Sequence, residues 1–355
     1  MAVTTFAPVT QGESGNGSWI CLQMFESSFD LLTAFRNNDG NLELLTISTE
    51  NNVLKQVSGA SAGAVKEVTL ALFGRRAVTA VCDGSGDLLL ISWDVPRGLK
   101  TVTRLKDSGR AAGTATNIAL VALSATLLAT AMRDGNGNLL LITWLLNTDG
   151  SFTRLGSSNP GGGKPDQAGA VSIVKMALLG GSVTHRVVTA VRNGSGDLEL
   201  ISWTISADGK TITRDGPGAT AGTVSEIEIA VGFQGITTAV RDGNGSLLVI
   251  PWQLGSGGSF TRHHEVEAGN AQHLSVGVVG GPPVLVATMR NGSGVFEMIA
   301  LNAITEGGLA RSGSFNDTQN PNVGETKIIS MNGLALTAIR QTSALLLRSW
   351  TVTTR

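Results

Sequence analysis

Tyrosine is absent from this chain, cysteine occurs twice, and charged residues make up only 15% of it, against roughly 25% in an average soluble domain. The 26 Lys+Arg are offset by 27 Asp+Glu, so the net charge is -1. That balance excludes the basic excess with which proteins grip phosphate backbones, and nucleic acid is not an expected partner. Cys21 and Cys82 form no C-x-x-C and have no histidine at ligand spacing. A disulfide and a zinc site are therefore not expected, and both cysteines read as small buried residues. The start, M-A-V-T-T-F-A-P-V-T, has no basic segment followed by an apolar core, so no secretory leader is expected. The longest apolar-rich stretch, residues 118–132, is broken by Ser124, Thr126 and Thr130. It is also shorter than the ~20 residues of a membrane helix. The expectation is a soluble protein without membrane insertion, cytoplasmic or released without a classical signal. No Ser-His-Asp order, H-E-x-x-H or phosphate loop occurs, and His185, His263, His264 and His273 follow no pattern. No cofactor and no metal is expected, and a non-enzymatic role is favoured with catalysis left open.

What the chain has instead is glycine, 46 residues of it, and 42% hydrophobic content, enough apolar surface to exclude disorder. The glycines belong to a repeat. T-A-V-C-D-G-S-G-D-L-L-L-I-S-W at residues 79–93 returns at 130–144, 189–203 and 238–252, with weaker copies at 33–47, 287–301 and 337–350. The residues at the arginine position are Arg36, Cys82, Arg133, Arg192, Arg241, Arg290 and Arg340, spaced 46, 51, 59, 49, 49 and 50 apart. A second landmark precedes each copy, at Gly15, Gly63, Gly113, Gly169, Gly222, Gly269 and Gly324.

Each unit reads as four strands: A after the landmark, B ending at the arginine, C ending at the tryptophan, and D ending in T-R. The apolar runs are four to eight residues long, β-branched and interrupted by Gly-containing turns, which excludes helices. Strand C is apolar at successive positions (Leu88, Leu89, Leu90, Ile91), so both of its faces must be covered. A four-stranded sheet of ~50 residues sandwiched between copies of itself is a propeller blade. The sequence predicts an all-β, single-domain, seven-bladed β-propeller of antiparallel blades spanning residues 1–355. The last unit is too short for its own strand D, and residues 3–11 sit where every other unit has one. The N-terminal strand is therefore expected to complete the last blade and close the ring.

In such a blade the arginine stands just before the [DN]-G-[NS]-G turn between B and C, and the tryptophan lies about five residues down strand C, some ~17 Å away. They mark opposite ends of the molecule. The arginine rim combines guanidinium forks (Arg36, Arg133, Arg192, Arg241, Arg290, Arg340) with short acceptors (Asp134, Asn193, Asp242, Asn291), a set suited to carboxylate, sulfate or vicinal hydroxyls. The alternative is that each arginine ties its hairpin to a neighbouring blade. The turns could in principle form calcium loops but offer two carboxylates at most, and Asp-Gly and Asn-Gly are ordinary hairpin chemistry. Trp93, Trp144, Trp203, Trp252 and Trp350 are second-choice platforms for stacking a sugar ring, with blade packing as the alternative. Cys21, Thr69, Ala119, Ser275 and the charged Lys175 and Glu228 fall on strand A, which would line an axial channel.

Near-identical blades with one repeated rim resemble the bacterial and fungal propeller lectins. The resemblance implies a multivalent carbohydrate-binding protein with glycans as partners, and it is architectural only, since no sugar motif is shared. Two other readings stand beside it. One is an enzyme with a single small-molecule site at the channel mouth, drawing on Glu228, Lys175, His263-His264 and Cys82. The other is a protein-interaction scaffold.

Overall fold

A computed structural model describes residues 3–14, 17–25, 30–49, 54–96, 98, 100–110, 112–158, 169–180, 184–232, 235–279, 283–304, 307–331, 334–341 and 344–354. The described residues are 76% β-strand, and every strand pairing among them is antiparallel. After β1 (Thr4–Ser14), strands β2 (Gly17–Met24), β3 (Leu31–Asn37) and β4 (Asn41–Ser48) pair in order with the first half of β5 (Lys55–Phe73). The second half of β5 begins the next set, with β6 (Arg76–Asp83), β7 (Leu88–Asp94) and β8 (Thr103–Asp107). Then come β9 (Ala115–Ala122), β10 (Leu127–Asp134), β11 (Leu139–Leu146) and β12 (Phe152–Ser157). A longer path follows through β13 (Val171–Gly180), β14 (His185–Asn193), β15 (Asp197–Ile205), β16 (Ile212–Gly232), β17 (Gly235–Asp242), β18 (Ser246–Leu254), β20 (Val266–Val279), β21 (Val284–Asn291), β22 (Val295–Ala303) and β23 (Leu309–Pro321). The short β19 (Phe260–Arg262) pairs with β18 off that path. Finally β24 (Thr326–Met331), β25 (Leu334–Arg340) and β26 (Leu345–Thr354) are joined at the outer edge by β1, with Thr4 opposite Thr354 and Ser14 opposite Leu345.

Middle strands are buried on both faces because apolar clusters form between consecutive sets of strands. Trp203 and Val187 pack with Ala129 and Leu141 of the set before, and Trp252 and Val240 with Val188 and Leu200. The first set packs on the last in the same way, Phe35 and Ile20 against Leu336 and Leu347. Inside this core the first and last residues of the repeated segment bond to each other. Trp93 Nε1 donates to Thr79 Oγ1, Trp144 to Thr130, Trp203 to Thr189 and Trp252 to Thr238, each at 3.0 Å. Trp350 does the same to Thr337 at 2.9 Å. Where leucine replaces tryptophan at 301, alanine replaces threonine at 287. Where Ile47 replaces it, the Thr33 hydroxyl turns to the Cys21 carbonyl at 2.9 Å.

The landmark is a junction between sets. Two residues beyond it, a backbone N–H donates to the last-glycine carbonyl of the preceding set's B–C turn: Val65 to Gly40, Ala115 to Gly86, Val171 to Gly137, Val224 to Gly196 and Ala271 to Gly245, at 2.9–3.0 Å. Val323 donates to Gly294 at 3.2 Å in the same way, so the landmark position of the last unit is Pro321 and not Gly324 as the sequence suggested. A proline fits because the N–H needed there belongs to the second residue after it. Gly15 lies outside the described residues.

Candidate functional site: the turn rim and the clefts between sheets

Each B–C turn is held by its first side chain. Oδ1 of Asn37, Asp83, Asp134, Asn193, Asp242 or Asn291 accepts the N–H groups two and four residues on, at 2.8–3.3 Å. The last glycine of the turn has φ between +81° and +95°, a conformation that side chains avoid. The preceding arginine lies over that glycine. A Cβ on Gly137, Gly196 or Gly245 would stand 3.0–3.2 Å from Nη2 of Arg133, Arg192 or Arg241.

These guanidinium groups are less available than the sequence implied. Arg192 Nη1 donates to Ser172 Oγ at 3.2 Å, Arg241 to Ser225 at 3.0 Å and Arg290 to Gln272 Oε1 at 3.2 Å, all on the inner strand of the same set. Their Nε atoms are buried without a partner among the described residues. Arg36 alone of these reaches the following set, Nε to the Val65 carbonyl at 2.8 Å. Arg340 is exposed. The arginines thus brace hairpins, and mostly not by the bond to a neighbouring blade that was the alternative expectation.

The tryptophan platforms are corrected outright. Trp93, Trp144, Trp203, Trp252 and Trp350 are 0–2% exposed, so no ring face is free for a ligand. Packing needs the large body there, and the Thr hydroxyl satisfies its one polar atom. The sixth tryptophan, which belongs to no repeat, is the exposed one: Trp19 is 42% accessible and sits at φ 58°.

A pattern that sequence reading missed divides the turns into two kinds. Turns opening with asparagine carry a glutamate six residues on (Asn37–Glu43, Asn193–Glu199, Asn291–Glu297), and turns opening with aspartate carry a leucine (Asp83–Leu89, Asp134–Leu140, Asp242–Leu248). The reason is donor chemistry. Asn291 Nδ2 donates to Glu297 Oε2 at 3.1 Å and Asn37 Nδ2 to Glu43 Oε2 at 3.4 Å, whereas an aspartate has no N–H to offer. In two of the glutamate sets an arginine from the outer strand reaches the glutamate, Arg214 to Glu199 and Arg311 to Glu297, both at 3.3 Å. In the leucine sets the same outer-strand position holds Arg104, Arg154 or Arg262 with no carboxylate at that point of strand C.

At one aspartate turn lies a cleft of about 320 Å³. Ala221, Gly222, Thr223 and Val224 from the junction form one wall, and Asp242, Gly243 and Asn244 from the turn form another. Val240 and Leu248 make the floor and Arg262 the side. Of the expected rim residues the cleft includes Asp242 but not Arg241. At the corresponding place beside Asp83, Arg110 already occupies the carboxylate, Nε at 3.5 Å from Oδ2.

The strand-A residues converge as well. Lys175 Nζ and Lys327 Nζ both donate to Glu228 Oε1, at 2.9 and 2.7 Å. Burial alone would raise the Glu228 carboxyl, but Lys175 and then Lys327 bring it down to about 2. Cys21 stands near this group, its thiol pushed up to about 12 by burial. Cys21 and Cys82 are free thiols. Cys82 is fully buried, and burial pushes its thiol up to about 11. His263 packs beside Gly307 and His264 is exposed, so neither joins Glu228. Among the described residues no group of three His, Cys, Asp or Glu could hold a metal ion, and no helix is long and apolar enough to cross a membrane.

No protein-family model matches the chain, and no curated protein matches it in sequence. Solved structures do resemble it. The chain is similar to Sqt1 of Saccharomyces cerevisiae, at 15% identity and TM-score 0.56 over 93% of this chain and 82% of that one. It is similar to BBS1N, solved in complex with ARL6DN, at 13% identity and TM-score 0.55 over 98% and 96%. It is also similar to the SapL1 lectin, solved in complex with alpha methyl fucoside, at 14% identity and TM-score 0.52 over 84% and 96%. At these identities the likeness concerns the fold, which is of the β-propeller kind.

Proposed function

We propose that the chain is a single-domain, seven-bladed β-propeller, closed by β1 as the outer strand of the last blade, that binds carbohydrate without catalysis at clefts repeated along its turn rim. Ring closure is supported by the pairing of β1 with β26, by the cluster joining Phe35 to Leu347, and by the Ile20 N–H donating to Glu325 Oε1 at 2.9 Å. The observation that carries the functional reading is the cleft between Thr223 and Asp242. Every wall of it is a position that recurs once per blade, so the site is one that repetition can multiply.

Its chemistry suits a sugar ring. Val224, Val240 and Leu248 contribute apolar lining, and Thr223, Asp242, Asn244 and Arg262 bring hydroxyl, carboxylate, amide and guanidinium groups. Its volume is at the small end of ligand pockets, about 300–1,000 Å³, a size for one or two rings. The likeness to a lectin adds weight. The Asp–Leu turns are the binding kind in this reading, so Asp134, with Leu140 and Arg154, forms a second site. In the Asn–Glu turns the glutamate is engaged by the asparagine, by an outer-strand arginine, or, at Glu297, by both. Weak sites of this sort gain strongly when several engage one surface.

Glycan-array binding and agglutination test the proposal. The wild type should retain glycan. Asp134→Asn with Asp242→Asn should lose at least tenfold, although asparagine holds the turn equally well at 193. The triple variant Arg133→Ala, Arg192→Ala, Arg241→Ala reports separately on the arginine rim. Absence of glycan binding by the wild type, or binding indifferent to the paired aspartate change, would refute the cleft assignment.

A further inference from the structure

The group formed by Lys175, Glu228 and Lys327 is unlike any other among the described residues. Its members come from the inner strands β13, β16 and β24, and the set between β16 and β24 is bypassed. Side chains that meet across an intervening set must meet near the common centre of the inner strands. At the same repeat position the remaining sets carry Cys21, Thr69, Ala119 and Ser275, all small, so the two ammonium groups face no bulky neighbour from that position. Two cations share one anion at hydrogen-bond distance, with the carboxylates of Glu325 and Glu67 acting on Lys327 and Lys175 from further off. Both bonds end on the same oxygen of Glu228, at 2.9 and 2.7 Å, which keeps the two nitrogens within ~6 Å of each other. The lysine side chains are 32% and 22% exposed, so solvent reaches them. No other hydrogen bond or ion pair is made by either ammonium among the described residues, although each has three donors.

We propose that Lys175 and Lys327 together bind a small oxyanion of the phosphate class at the centre of the inner strands, with Glu228 holding the two ammonium groups at bridging distance. Lysine binds phosphate as a compact point charge. Two such charges a few ångströms apart match two oxygens of one tetrahedral anion. The site accepts inorganic phosphate or the terminal group of a phosphate monoester, and the small residues beside it leave room for either. It is separate from the rim clefts and stands or falls without them.

The test is thermal unfolding and isothermal titration of the full chain with inorganic phosphate at constant ionic strength, with chloride as the control salt. Phosphate should raise the melting temperature of the wild type in a saturable way where chloride does not. Lys327→Met and Lys175→Met should each weaken phosphate binding at least tenfold. A phenyl phosphate arm separates the sources: equal affinity indicates recognition of the phosphoryl group alone, and tighter binding indicates a monoester. Equal response of the wild type and both lysine variants to phosphate, or a non-saturable response, would overturn the proposal and leave the group a structural ion pair.

Discussion

Replacing Thr238 with valine tests the reading of the repeated tryptophans. Valine has the shape of threonine without the hydroxyl, so no cavity opens and the change isolates one bond. Trp252 is 2% exposed and Thr238 0%, so the indole N–H would be left without a partner or water. Orphaning a buried donor costs about 1–3 kcal/mol, and about 2 kcal/mol is expected here. With an unfolding entropy of roughly 2.1 cal/mol/K per residue, the 355 residues give roughly 0.7 kcal/mol per degree. The melting temperature should therefore fall by about 3 °C in scanning calorimetry. The decisive measurement is the cycle with Trp252→Phe. Phenylalanine has no N–H, so in that background Thr238→Val should be nearly neutral and the coupling about 2 kcal/mol. Thr130→Val and Thr189→Val repeat the geometry and should repeat the number. Thr33→Val, in the set where Ile47 takes the place of the indole, should cost only about 0.5–1.5 kcal/mol. Equal cost in the tryptophan and phenylalanine backgrounds would refute the pairing as the reason for the repeat.

Gly245→Ala should destabilise by about 1–2 kcal/mol in urea unfolding, since the residue sits at φ +89° and the new Cβ meets Arg241 Nη2 at 3.0 Å. Acid should weaken the wild type more than Glu228→Gln. The Glu228 carboxyl is depressed in the fold from 4.5 to about 2, so its contribution is full above pH ~4.5 and is lost as pH falls toward 2, which unfolding midpoints between pH 6 and 2.5 would reveal. Deleting residues 1–14 should expose the β26 edge, and light scattering should register association of the truncated chain through it.

The fold was legible because one unit is written many times, and errors in a single copy are outvoted. Strand order, the turn motif and the outer-edge role of residues 3–11 all follow from the alignment of copies. Function was less legible because it depends on where copies differ. Pairing of Asn with Glu and Asp with Leu at six-residue spacing was present in the sequence, but it needs the cross-strand geometry to acquire a meaning. Lys327 was missed because taking Gly324 as the landmark moves the inner-strand position three residues too far, onto Ser330. With Pro321 in its place, Lys327 aligns with Lys175 and Glu228. The arginines drew attention by recurrence, yet a residue that every hairpin requires recurs for that reason alone. Trp19 was passed over because it recurs nowhere.

β5, β16 and β20 each run without a break from the outer edge of one set into the inner edge of the next, over 19, 21 and 14 residues. Between β8 and β9 the crossing is made by residues outside the strands. A continuous strand cannot release one sheet without loosening the other, so sheets joined this way should open together, and those joined by a loop should open apart. Amide exchange would then divide the molecule into unequal cooperative blocks: the sheets of β2–β8 as one, those of β13–β23 as another, and the sheets of β9–β12 and of β24–β26 with β1 each independent. Chemically uniform repeats would in this way yield a molecule with preferred lines of fracture.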